Sequence, residues 1–119
     1  MSARKPASSG DVDALLAGLA DPARRRTVEL LGEAPRRASE LARLLDLSAP
    51  AMSRHLRALK QSGLVSDRHP DFDARVRIYS LNAGRLAELR GWLGAAEAGW
   101  SEQLAAFRRH IEAKGGKQK

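Results

Sequence analysis

Residues 38–65 read ASELARLLDLSAPAMSRHLRALKQSGLV, and their spacing predicts two short helices across a tight turn, followed by the start of a strand. Leu41, Leu44 and Leu45 give the first segment an apolar stripe at helical spacing, and Met52, Leu56 and Leu59 do the same for the second. Asp46 falls where the chain must leave the first helix, and Asp enters the left-handed region more readily than most residues. Ser48 is placed to cap the second helix, whose first turn tolerates Pro50 because that N–H has no intrahelical use. The pattern is that of a helix-turn-helix.

At about 100° per residue the second helix sorts its side chains onto two faces. Met52, Leu56 and Leu59 share one side; Pro50, Ser53, Arg54, Arg57 and Gln61 cluster roughly opposite, on a face with no acidic group. Arg grips a guanine edge bidentately, Gln and Ser read bases or hold phosphates, and the apolar edge of Pro50 suits a thymine methyl. A merely solvated basic face has the same composition. The tight turn before this helix and the basic strand pair after it favour DNA recognition.

The 119 residues, 43% of them apolar, fit one domain with a modest core. A formal charge of +7 and a pI near 10.8 make polyanions, nucleic acid or an anionic membrane, the default partners. Cysteine is absent, which excludes disulfides, thiolate metal sites and thiol chemistry together. No apolar run approaches the roughly 18 residues of a membrane span, and residues 1–10 lack the apolar core of a signal peptide, so a cytoplasmic protein is the simplest reading.

Residues 1–10, small, polar and basic, read as a disordered tail ahead of a domain over 11–113. Val12, Leu15, Leu16 and Leu19 predict a first helix with Asp11 as its cap. Asp21 and Pro22 then open a second helix over residues 23–32, with Val28, Leu30 and Leu31 facing inward. Arg24, Arg25 and Arg26 sit near its start, where the helix dipole disfavours cations; solvation and phosphate contact both account for them. Arg36 and Arg37 lie close to where the first helix of the motif would cross a DNA backbone.

After Gly63 ends the recognition helix, residues 64–68 and 75–81 read as two strands joined by a hairpin tip at 69–74, a wing. Arg68, Arg75 and Arg77 decorate it. Asp71 and Asp73 at the tip oppose deep insertion into a minor groove, so these arginines are expected on phosphates. The DNA-facing set is then Ser48, Pro50, Ser53, Arg54, Arg57 and Gln61 on the helix and Arg68, Arg75 and Arg77 on the wing. His55 flanks the apolar side of its helix and reads as a packed structural histidine; His69 reads as an exposed loop residue.

Residues 84–112 carry one long helical pattern in which Leu86, Leu89, Leu93, Ala96, Trp100, Leu104, Phe107 and Ile111 recur at steps of three and four. That seam exceeds what a domain this small covers, so it calls for a partner helix, and Trp92 and Trp100 are suited to anchor it. Gly91, Gly94 and Gly99 fit either close helix approach or a bend. Residues 114–119 form a flexible basic tail.

The segments Leu19-Ala20-Asp21-Pro22-Ala23-Arg24-Arg25, Glu40-Leu41-Ala42, residues 48–59, Gly63-Leu64-Val65 and Arg77-Ile78-Tyr79-Ser80-Leu81 resemble, in order, the ArsR/SmtB family of bacterial winged-helix repressors. The resemblance implies a mainly α fold with a small β-hairpin, α-α-α-α-β-β-α, and a homodimer through the first and last helices. It places Leu15, Leu19, Leu89, Trp92, Leu93, Trp100, Leu104 and Phe107 at the dimer interface. It further implies operator binding through Ser53, Arg54 and Arg57, with DNA released when an effector binds. The metal-sensing Cys-x-Cys pair of many members has no counterpart at residues 41–45, and the last helix lacks the Asp-x-His pair of others. No metal and no cofactor is therefore expected.

The leading expectation is a dimeric repressor of a palindromic operator. The alternative is a winged-helix interaction module that docks an acidic protein. An enzyme is not expected, since no carboxylate pair, Ser-His-Asp set or phosphate loop is visible, and the seam of the last helix fits a partner helix better than a membrane surface.

Overall fold

The computed structural model describes residues 9–116. The element order is α1 (Ser9–Gly18), α2 (Pro22–Glu33), β1 (Arg36–Arg37), α3 (Ala38–Leu45), α4 (Ala49–Ser62), β2 (Val65–Arg68), β3 (Ile78–Leu81) and α5 (Ala83–Gly116). The expected helices are all present, and the wing belongs to a three-stranded antiparallel sheet of order β1-β3-β2 rather than to a lone hairpin. β1 pairs Arg36 with Tyr79 and Arg37 with Ile78. Two arginines carry no strand signal of their own; they pair because the free edge of β3 faces the connector between α2 and α3.

Helix boundaries follow local chemistry. Asp21 caps α2, accepting from the N–H of Ala23 at 2.7 Å and of Arg24 at 3.3 Å. Burial alone would raise the Asp21 carboxyl; those two donors, with His55 and Arg24 nearby, outweigh it and hold the group below its ordinary value. α3 ends on Asp46 at φ 56°, ψ 49°, and α4 ends on Gly63 at φ 91°. In each case the next N–H closes a Schellman bond, Leu47 to the Ala42 carbonyl at 2.9 Å and Leu64 to that of Leu59 at 3.2 Å. α1 begins at Ser9, so Asp11 lies in its first turn rather than at its cap. Of the expected tail over residues 1–10, Ser9 and Gly10 belong instead to α1 and residues 1–8 lie outside the described residues; of the expected tail over 114–119, residues 114–116 still belong to α5 and 117–119 lie outside the described residues.

Up to Leu89 the chain forms one unit around Leu15, Leu30, Leu31, Leu41, Met52, Leu56, Leu59, Leu64, Val65 and Leu89, with Leu86 and Val28 packed against them. Thr27 is fully buried too, its hydroxyl donating to the Ala23 carbonyl at 2.8 Å. Of the residues expected at a dimer interface, Leu15 is 0% exposed and Leu89 only 7%, both packed into the core of the single chain, and Leu19 is partly buried against the same core. Gly18 is where α1 closes on the end of α4: a Cβ there would lie 2.7 Å from the Ser62 hydroxyl.

From Arg90 onward α5 is a second unit. On it Trp92, Leu93, Trp100, Leu104, Phe107 and Ile111 are between 41% and 66% exposed, a row of large apolar groups without cover in the single chain.

The strand β3 starts at Ile78, three residues later than its sequence pattern suggests. Asp73 binds the Arg75 N–H at 2.9 Å through its side chain, and its carbonyl accepts from the Val76 N–H at 3.3 Å. Residues 73–76 are thereby folded into a turn, and the His69 ring meets the Val76 carbonyl at 2.9 Å across it.

Two left-handed residues give opposite expectations. Asp46→Gly relieves the Cβ strain and removes an acid from the negative end of α3, stabilising the fold by about 0.5–1 kcal/mol. Gly63→Ala puts a Cβ 3.2 Å from the Arg85 side chain at φ 91° and costs about 1–2 kcal/mol. Urea unfolding of the two variants checks both signs.

Candidate nucleic-acid interface

Met52, Leu56 and Leu59 are buried beneath α4, which leaves Pro50, Ser53, Arg54 and Arg57 exposed along its other side. Each buried side chain of this size contributes about 1.5–3 kcal/mol, far more than any one residue's helix propensity. The outward aim of Arg54 and Arg57 is therefore set by the core. Neither guanidinium has a hydrogen bond or ion pair among the described residues. Ser48 works as the cap, its hydroxyl oxygen accepting from the Ala51 N–H at 3.2 Å.

The wing brings more cations beside this helix. An open cleft of about 370 Å³ between α4 and the sheet is lined by Ser53, Leu56, Arg57, Lys60, Arg77 and Tyr79. A second, of about 340 Å³, is lined by Arg37, Ala38, Ser39, Arg75, Val76, Arg77 and Tyr79 at the start of α3. Ser53, Arg57 and Arg77 thus converge as the sequence suggests. Gln61, one helical turn after Arg57, is exposed and lines a separate groove with Ala14, Ala17 and Gly18 of α1. Arg68 ends β2, exposed. Arg75 pairs with Asp73 at 3.2 Å, but with its side chain 91% exposed that contact holds it weakly.

Lys60, Tyr79 and Asp67 escaped the sequence reading. Lys60 lies three residues after Arg57 and seven after Ser53, so helical spacing alone would have found it. Asp67 required the sheet: its carboxylate meets Lys60 Nζ at 2.9 Å and Arg77 Nη1 at 3.1 Å, bridging α4 to the wing. The Lys60 hydrogen bond, with Arg77 and His69 adding to it, holds the Asp67 carboxyl below its ordinary value despite burial. A depressed carboxyl stabilises the fold at pH values above its unfolded pKa, and this link is lost only in acid as pH falls through the folded value.

Other arginines serve the fold. Arg24 donates to the carbonyls of Gly18 at 2.8 Å and Ala17 at 3.1 Å, and Arg25 to that of Leu19 at 2.8 Å, so both tie down the C-terminal end of α1, where the dipole favours cations. Arg26 pairs with Glu29 at 2.7 Å. Arg36, largely buried, donates to the Leu30 carbonyl and bridges Glu33 and Glu40. His55 is half-buried, with Nδ1 4.0 Å from Asp21, beyond hydrogen-bond distance, and His69 is exposed. Among the described residues no three His, Asp or Glu side chains are grouped to hold a metal, and no helix is long and apolar enough to cross a membrane.

Comparison with known proteins places these features in a family. Residues 21–67, from the α2 cap to the third residue of β2, match the model of the bacterial regulatory proteins of the arsR family. The HTH-type transcriptional regulator Rv2034 of Mycobacterium tuberculosis is 39% identical over 97 residues, covering 82% of this chain and 85% of its own length. The transcriptional repressor SdpR of Bacillus subtilis is 32% identical over 75 residues, 63% of this chain and 80% of the repressor. An ArsR-like transcriptional regulator from Rhodococcus sp. RHA1 superposes with a TM-score of 0.72 at 29% identity, over 87% of this chain and 93% of the other. A helix-turn-helix with a basic exposed face, a wing beside it and relatives of this similarity along most of both chains lead to one conclusion: the chain belongs to the ArsR family of DNA-binding transcriptional regulators.

Proposed function

We propose that the protein is a homodimeric repressor that reads a palindromic operator, with α4 in the major groove and the wing on the flanking phosphates. One observation carries this reading: Arg54 and Arg57 stand exposed and, among the described residues, without intramolecular partners, on the side of α4 opposite the buried Met52, Leu56 and Leu59. A pair of guanidiniums kept unpaired on a rigid surface is suited to guanine edges and phosphates. Arg68, Arg75 and Arg77 supply contacts that carry no sequence information. Two copies set half-sites about 34 Å apart, one turn of duplex.

Dimerisation is supported by the exposed apolar row of α5, anchored by Trp92, Leu93, Trp100, Leu104 and Phe107. The name of the SdpR relative supports repression. The chemistry calls for no catalytic group and no cofactor, the site of action is the cytoplasm, and release of DNA by an effector follows the family resemblance.

Arg57→Ala is expected to lower affinity for a duplex from the intergenic DNA upstream of the protein's own gene by about 1–3 kcal/mol, with little effect on a scrambled duplex. Arg75→Ala weakens both about equally. Gel shifts on the two duplexes decide; equal loss for Arg57→Ala on both rejects base reading. Trp100→Ala is expected to weaken self-association by about 2 kcal/mol or more, roughly 30-fold, in sedimentation equilibrium. A wild-type protein that sediments as a monomer at micromolar concentration removes the symmetric arrangement.

A further inference from the structure

The cleft between α4 and the wing is walled by three cations, Arg57, Lys60 and Arg77. Two of them are already engaged: Lys60 Nζ lies 2.9 Å from one oxygen of Asp67, and Arg77 Nη1 lies 3.1 Å from the other. We propose that Asp67 is an internal competitor for the DNA backbone, a fixed carboxylate that occupies Lys60 and Arg77 in the free protein and thereby limits how tightly the interface grips duplex of any sequence. The inference rests on the DNA-binding reading above and adds a residue that tunes it.

Geometry separates the fixed partner from the mobile ones. Asp67 sits in the middle of β2 opposite Tyr79, and its side chain is only 12% exposed. Lys60 and Arg77 are about half exposed, at the ends of long flexible side chains. When a phosphate enters the cleft, the cations turn toward it and the carboxylate stays. Both carboxylate oxygens are used, one per cation, so a phosphate oxygen meets each cation only by sharing it with Asp67 or displacing it. The depressed Asp67 carboxyl keeps its charge across the neutral range, so the competition is present wherever DNA binds.

Asp67 also orients the two cations, and that effect has the opposite sign. It is the smaller one. Lys60 is anchored on α4 and Arg77 immediately precedes β3, so each remains within reach of the cleft without the carboxylate, and a partner at the half-exposed tip of a flexible side chain gains little order from the pair. Removing the negative charge that holds two of the cleft's cations acts on every duplex at once.

The test is Asp67→Asn, nearly the same shape without the charge, titrated with a short mixed-sequence duplex over a range of NaCl concentrations. Binding is expected to tighten about three- to tenfold at low salt, with the log–log salt slope steeper by about 0.9 for each further phosphate neutralised. In a Lys60→Gln, Arg77→Gln background the same substitution is expected to leave affinity and slope unchanged. Tighter binding that persists there belongs to net charge alone and overturns the proposal. So does a folded Asp67→Asn protein that binds no tighter than wild type. Asp67→Thr, suited to a strand, repeats the measurement if the Asn variant does not melt cooperatively; loss of fold in both makes Asp67 a structural bridge and overturns the proposal. Wild-type protein that binds no duplex at low salt fails the DNA reading itself, a separate result.

Discussion

The arrangement depends on the burial of Met52, Leu56 and Leu59 beneath α4. Those three side chains take up one side of a helix that has only two, so whatever lies opposite must face solvent. Together they contribute several kcal/mol, while the cap at Ser48 adds about 1 kcal/mol and no exposed ion pair adds more. The basic face is thus a by-product of apolar packing. Ser53, Arg54 and Arg57 need no bonds of their own to be presented.

Two left-handed residues frame that helix. Asp46 turns the chain between α3 and α4, and Gly63 turns it from α4 into β2, each closing its helix with a Schellman bond. Because the second turn leads directly into the wing, the angle between recognition helix and sheet is set within three residues, Gly63 to Val65. Leu64 and Val65 are both buried, which anchors the exit. The bridge from Lys60 through Asp67 to Arg77 then crosses the same corner with charge.

A charge of +7 does not spread evenly over such a molecule. Arg24 and Arg25 neutralise the negative end of α1, and Arg36 is held between Glu33 and Glu40. Arg54, Arg57 and Arg68 have no such partners among the described residues. Composition counts these groups alike. Their difference lies in which carbonyls and carboxylates are within reach.

Periodicity and turn chemistry are local, so the sequence by itself determined the helices, the caps at Asp21 and Ser48, the left-handed stop at Asp46 and the basic side of α4. It also identified the unsatisfied apolar row of α5, because Leu93, Trp100 and Phe107 recur at helical spacing. Tertiary structure decided what depends on distant neighbours. β1 exists only because β3 offers an edge, and Leu15 and Leu89 turn inward because a core lies beside them. The roles of Arg24, Arg36 and Asp67 are decided the same way: an ionisable side chain reads identically in sequence whether it faces water, a helix end or an opposite charge, and only the fold fixes which of these is a few ångströms away.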